Sequence, residues 1–122
     1  MKHNFKKLDI WKKGRVLVKV IYNVTKVFPD DEKYGLTSQM RRCAVSIPSN
    51  IAEGCGRNTD KDLSRFLHIA IGSICELETQ LYLSHDVGYI DEKETDKLIV
   101  QVEEIRRMIT GFIKKLNINY EK

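Results

Sequence analysis

Residues 59–88, TDKDLSRFLHIAIGSICELETQLYLSHDVG, decide the fold. Within them Leu63, Phe66, Leu67, Ala70, Ile74, Leu77 and Leu81 recur at steps of three and four, the period of one face of an α-helix. Thr59 offers its hydroxyl to the backbone amide near Asp62, a helix-start signal, and Gly88 marks the stop. A helix with one apolar stripe has to bury that stripe against other elements.

The flanking sequence supplies three such elements. Downstream, Asp91 followed by Glu94 forms a second start signal, and Leu98, Val102, Ile105, Ile109, Phe112 and Leu116 make the next stripe. Upstream, Leu36 to Glu53 carries Met40, Ala44, Ile47 and Ile51, with Thr37 or Ser38 as N-cap and Gly54 and Gly56 as terminators. Before it, Asp9 to Phe28 places Trp11, Gly14, Val18, Ile21, Thr25 and Phe28 on one face, and Pro29 stops the run. Its VLVKVIYNV segment is β-branched enough to be read as a strand, but twenty residues without a turn signal favour helix. The links are short, so each helix runs antiparallel to the one before. The expected architecture is all-α, an antiparallel up-down four-helix bundle forming one domain over residues 1–122.

Three features exceed what a plain bundle needs. Val16, Val20, Val24 and Val27 make a second apolar stripe on the first helix, which predicts that Val16, Val20 and Val27 meet another subunit. Gly72 sits in the middle of the third helix at a cost of about 1 kcal/mol relative to alanine, which suggests a close neighbour there. Pro48 lies inside the second helix, where it cannot donate to the Ala44 carbonyl. A kink or break follows, with Ser46, Ser49 and Asn50 placed to satisfy freed carbonyls.

Chemistry is sparse. Cys43, Cys55 and Cys75 form no CxxC pair, so neither a disulfide framework nor a zinc knuckle is expected. Cys43 and Cys75 read as core residues. His3, His68 and His85 have no helical ligand partner, and GCGR lacks the spacing of a phosphate loop. No catalytic site, cofactor or metal is implied. No apolar run approaches the ~20 residues that cross a bilayer, and no signal-type run follows MKHNFKK, so a cytoplasmic, non-membrane protein is expected.

Charge gives the one lead. Residues 1–60 hold 12 basic and 6 acidic groups, and residues 61–122 hold 9 and 11, within an overall net charge of +4. Lys12, Arg15, Lys19 and Lys26 share one strip of the first helix. With Arg41, Arg42 and Arg57 on the second element and its end, they are the candidate nucleic-acid-binding residues. A solvated helix face explains the lysines equally well. The alternative function is a protein–protein interaction scaffold that binds no nucleic acid.

From LDIWKKG through VFPDDEKYGLTSQMRRCAVSIPSNIAEGCGR to FLHIAIGSICELETQLYLSHDVGYI, the chain resembles the bacterial four-helix bundle proteins, first known from intervening sequences of large-subunit ribosomal RNA genes. SIPSNIAEG with Arg57, then GSICELETQL, carry the resemblance most specifically. It implies a ring-shaped homopentamer without enzymatic activity. The family includes accessory proteins of diversity-generating retroelements, which associate with a reverse transcriptase and RNA. The family pattern falls on Arg41, Arg42, Ser46, Pro48, Asn50, Glu53, Gly54, Arg57, Gly72 and Glu76.

Overall fold

In a computed structural model that describes residues 3–116, the chain forms four α-helices. They are α1 (Asp9–Thr25), α2 (Leu36–Cys55), α3 (Asp60–Asp86) and α4 (Glu92–Lys115), with short 3-10 turns at Phe5–Lys7 and Asp30–Glu32. No strand occurs among the described residues. The expected start signals of α3 and α4 are in place: Thr59 Oγ1 accepts from the Asp62 amide at 3.1 Å, and Asp91 Oδ1 from the Glu94 amide at 2.8 Å. Gly88 follows α3 at φ 86°, a left-handed conformation that a side chain would resist.

Cross-helix contacts fix an antiparallel register. Gly14 lies against Pro48 and Thr25 against Arg41, which pairs the start of α1 with the later half of α2. In the same way Met40 meets Ser84 and Gly54 meets Leu63 across α2 and α3, while Lys13 reaches Glu104 across α1 and α4. Between the helices Leu17, Ile47, Ile74, Leu77, Leu81 and Ile105 are essentially inaccessible to solvent. Burying each such side chain contributes about 1.5–3 kcal/mol, which is what holds the helices together against their chain entropy.

Six details differ from the sequence reading. The buried face of α1 is centred on Ile10, Gly14, Leu17 and Ile21, with Trp11 and Val18 at its edge. Trp11 is held there by Phe5 packing edge-on at 5.1 Å and by the Arg15 guanidinium 5.0 Å over its ring. Helix α1 also ends at Thr25, a turn before Phe28, although Phe28 is still buried.

Of the kink or break expected at Pro48, the break does not occur: α2 continues through Pro48 to Cys55. Side-chain donors reach carbonyls on either side of the one Pro48 leaves without its amide: Ser46 Oγ donates to the Cys43 carbonyl and Asn50 Nδ2 to the Ser46 carbonyl, each at 2.7 Å. Gly54 is not a terminator but a buried residue inside α2, where it permits the close approach of α3. Cys75 is exposed rather than in the core, whereas Cys43 and Cys55 are buried free thiols.

Neither Thr37 nor Ser38 caps α2. Glu32 does so from the preceding turn, accepting from the Leu36 amide at 2.9 Å while Tyr89 Oη donates to its other oxygen at 2.7 Å. This clip ties the α1–α2 link to the α3–α4 link. The Leu36 amide and then the Tyr89 hydroxyl hold the Glu32 carboxyl below its ordinary 4.5. The Glu32 carboxylate in turn raises the Tyr89 phenol above 10.0. The clip therefore contributes most between those two values: it weakens as Glu32 protonates in acid, and again as Tyr89 ionises in base. Tyr89→Phe is expected to lower the melting temperature near neutral pH, with the difference from the parent narrowing below pH 4.5 and above pH 10.0. Melting curves across that range check it, and a difference independent of pH would contradict it.

Candidate nucleic-acid interface

Helix α1 turns its buried arc inward, which leaves Lys12, Arg15, Lys19 and Lys26 exposed on the opposite side. Lys12, Lys19 and Lys26 have no ion-pair partner among the described residues. Arg15 is engaged only with the Trp11 ring. Residues 12, 19 and 26 are seven apart, so the three ammonium groups line one strip with a rise of about 10 Å between neighbours. That is an uncompensated positive edge on an otherwise mixed surface.

The three arginines have different surroundings. Arg41 is committed to the fold: its Nε donates to Thr25 Oγ1 at 2.8 Å, its Nη2 to the Tyr22 carbonyl at 3.3 Å, and its plane lies 4.5 Å over the Tyr22 ring. Helix α1 has no basic residue in its own last turn, so Arg41 supplies from α2 the positive charge that a helix C-terminus favours. Arg57 pairs with Glu53 at 3.2 Å and stacks on Phe66 at 4.7 Å, on a surface away from the α1 strip. Of the three, Arg42 alone is exposed and without an ion-pair partner among the described residues.

Arg42 borders a cleft of about 500 Å³ between α2 and α3, lined also by Tyr34, Ser38, Gln39, Cys43, Ser46, Ser73 and Glu76. The antiparallel register builds its floor. Ser73 bonds Ser46, Ser46 donates onward to the Cys43 carbonyl, and the Cys43 thiol donates to the Ser73 carbonyl at 2.9 Å. Burial, reinforced by the Glu76 carboxylate, pushes the Cys43 thiol up to about 12, so it stays protonated and serves as a donor rather than a nucleophile. Sequence reasoning placed Arg42, Ser46 and Glu76 in the family pattern but gave them no common location. Ser73 joins them only through the register of α3 on α2.

The residues expected at a subunit interface separate as well. Val16 and Val27 are 56% and 80% exposed, whereas Val20 and Val24 pack partly against their own core and are not free. With Val20 and Val24 added, the arc that α1 packs against the core is wider than a single stripe requires. A side chain at Gly72 would meet nothing within 4 Å, so Gly72 makes no close approach within the chain. The close glycine contacts are Gly14 on Pro48 and Gly54 on Leu63 and Phe66. The histidines serve locally, with His68 Nδ1 2.9 Å from the Ser64 carbonyl and His85 Nδ1 3.2 Å from that of Ile90. Among the described residues, no His, Cys, Asp and Glu group suits a metal ion, and no helix is long and apolar enough to cross a membrane.

Fold and surface together define a four-helix bundle with a basic strip on its first helix and a polar cleft between its second and third. The family model of the 23S rRNA-intervening sequence proteins matches residues 6–111, and the chain belongs to that family. A solved structure with a similar fold is a protein of unknown function from the S23 ribosomal protein family of Bacteroides thetaiotaomicron VPI-5482. It is 24% identical, with a TM-score of 0.79 over 86% of this chain and 95% of that one. No curated protein matches the chain.

Proposed function

We propose that this chain is a non-enzymatic, self-associating bundle that binds RNA through its basic N-terminal half. The observation that carries this reading is the strip of Lys12 and Lys19 on α1 and Lys26 at its C-cap, exposed and without an ion-pair partner among the described residues. Such a strip tracks a phosphate backbone by charge alone, releasing counterions as it binds. Arg15 and Arg42 extend the set, while Arg41 and Arg57 are held by partners within the fold. Titration of labelled RNA at low and at raised salt tests the reading. Binding that weakens steeply with salt supports it, and absence of binding at low salt overturns it.

Self-association rests on Val16 in α1 and Val27 just beyond its end, which the bundle leaves in water, and the number five rests on the family resemblance alone. Val16 and Val27 flank the lysine strip, and covering them would contribute about 1.5 kcal/mol or more each. Val16→Glu with Val27→Glu is therefore expected to convert the oligomer to monomer in light scattering, with helicity unchanged because both side chains are exposed. A parent protein that is already monomeric at micromolar concentration would contradict the self-association.

A further inference from the structure

We propose that the α2–α3 cleft is a binding pocket for one unstacked nucleotide, selective for guanine. The inference rests on the RNA-binding reading and names what that surface recognises beyond phosphate. The cleft holds about 500 Å³, ample for one nucleotide, and its lining is polar and mixed in charge. An apolar core defect would not look like this. Its groups fall into the three classes that reading a single-stranded nucleotide needs: an aromatic face, a cation for phosphate and hydrogen-bonding groups for the base edge.

Tyr34 supplies the aromatic face. Its side chain is 87% exposed at the mouth of the cleft, with only the Lys33 ammonium 5.5 Å over its ring. An exposed phenol with so little packing holds no part of the fold together, yet it suits a base to stack on. Arg42 is the cation, without an ion-pair partner among the described residues and lining the same cleft.

Glu76 sets the selectivity. Its carboxylate accepts only, through two oxygens side by side. Guanine alone presents two adjacent donors, N1–H and N2–H, on its Watson–Crick edge. Adenine, cytosine and uracil each set an acceptor beside their donor, and that acceptor would face the carboxylate with like polarity. The Gln39 amide remains for the sugar and for other base atoms, and the Ser46 and Ser73 hydroxyls, their protons engaged in the floor, remain as acceptors. Because the Cys43 thiol stays protonated, the pocket is built to bind rather than to react.

The four ribonucleoside monophosphates, titrated one at a time by calorimetry, test the pocket directly, alongside single-stranded oligonucleotides with and without guanine. GMP is expected to bind about tenfold or more tighter than AMP, CMP or UMP, the discrimination given by a good bidentate pair. Glu76→Gln is expected to abolish that preference, and Tyr34→Ala to weaken all four alike. Both residues are exposed, so circular dichroism and melting should match the parent. Equal affinity for the four nucleotides, or a preference that survives Glu76→Gln, overturns the pocket. Salt-dependent RNA binding in that same case leaves the broader reading standing. GMP binding without RNA binding supports the pocket and overturns the broader reading.

Discussion

Gly54→Val is expected to be the most damaging single substitution, costing about 3 kcal/mol or more and lowering the melting temperature by roughly 10 °C or more. A Cβ at this position would lie 2.8 Å from Leu63 Cδ1 and 2.9 Å from Phe66 Cβ, distances that real Cβ atoms essentially never show. Leu63 can rotate its terminal methyl away, but Phe66 Cβ moves only if the α3 backbone moves. Separating α2 from α3 at this point would loosen the neighbouring core, where Ile51, Leu63 and Leu67 are buried. Valine's branched Cβ worsens the overlap in two directions. Set against a total stability of about 5–15 kcal/mol for an ordinary domain, that loss is large. Gly111→Ala is the matching control, because a Cβ there meets nothing within 4 Å. In helix α4 it should stabilise by up to about 1 kcal/mol through propensity. Thermal melts of the two variants check the contrast, and a tolerated Gly54→Val would mean that α2 and α3 do not depend on this close approach.

The second large effect is on RNA. Lys12→Glu, Lys19→Glu and Lys26→Glu together should lower RNA affinity about a hundredfold at low salt. They should also reduce the slope of log affinity against log salt by about 2 to 3, one increment for each phosphate contact removed. The three side chains are exposed and unpaired, so each reversal should change stability by no more than about 0.5 kcal/mol. The same triple change should leave GMP binding in the α2–α3 cleft unaltered, because none of the three lysines lines it. Filter binding at several salt concentrations reads both affinity and slope. An unchanged slope would show that the phosphates lie elsewhere on the surface.

The four helices were legible because periodic apolar positions and side-chain caps are local signals. Thr59 and Asp91 cap their helices from within four residues of the amide they receive. What depended on the partner helix was not legible. Two apolar stripes on α1 made its inward face hard to centre, and packing against the other helices sets the buried arc on Ile10, Gly14, Leu17 and Ile21. Gly54 looks like a terminator beside Gly56, yet its role is set by α3 crossing above it. Proline inside a helix signals a kink or break, but α2 continues through Pro48, whose ring packs against Gly14 of the neighbouring helix. Glu32 as the cap of α2 depends on the shape of the intervening turn, which spacing alone does not specify.

The candidate site divides along the same line. The lysine strip follows from helical spacing, since residues seven apart share a face whatever lies behind them. Arginines are harder to place from sequence because a guanidinium serves equally well as a tie between helices. Arg41 does so through Thr25 and Tyr22, and Arg57 through Glu53 and Phe66. The cleft is a product of register: Ser73 and Glu76 come from α3, Arg42, Cys43 and Ser46 from α2, some thirty residues apart in the chain.

Lysine footprinting asks most directly whether α1 is where RNA sits. Acetylation of the protein with and without saturating RNA, read by mass spectrometry, is expected to show Lys12, Lys19 and Lys26 protected by RNA. Lys93 and Lys97, exposed in the first turns of α4, should be modified equally in both samples. Protection of Lys93 and Lys97 with the α1 lysines as reactive as in the free protein would contradict RNA binding through the basic N-terminal half.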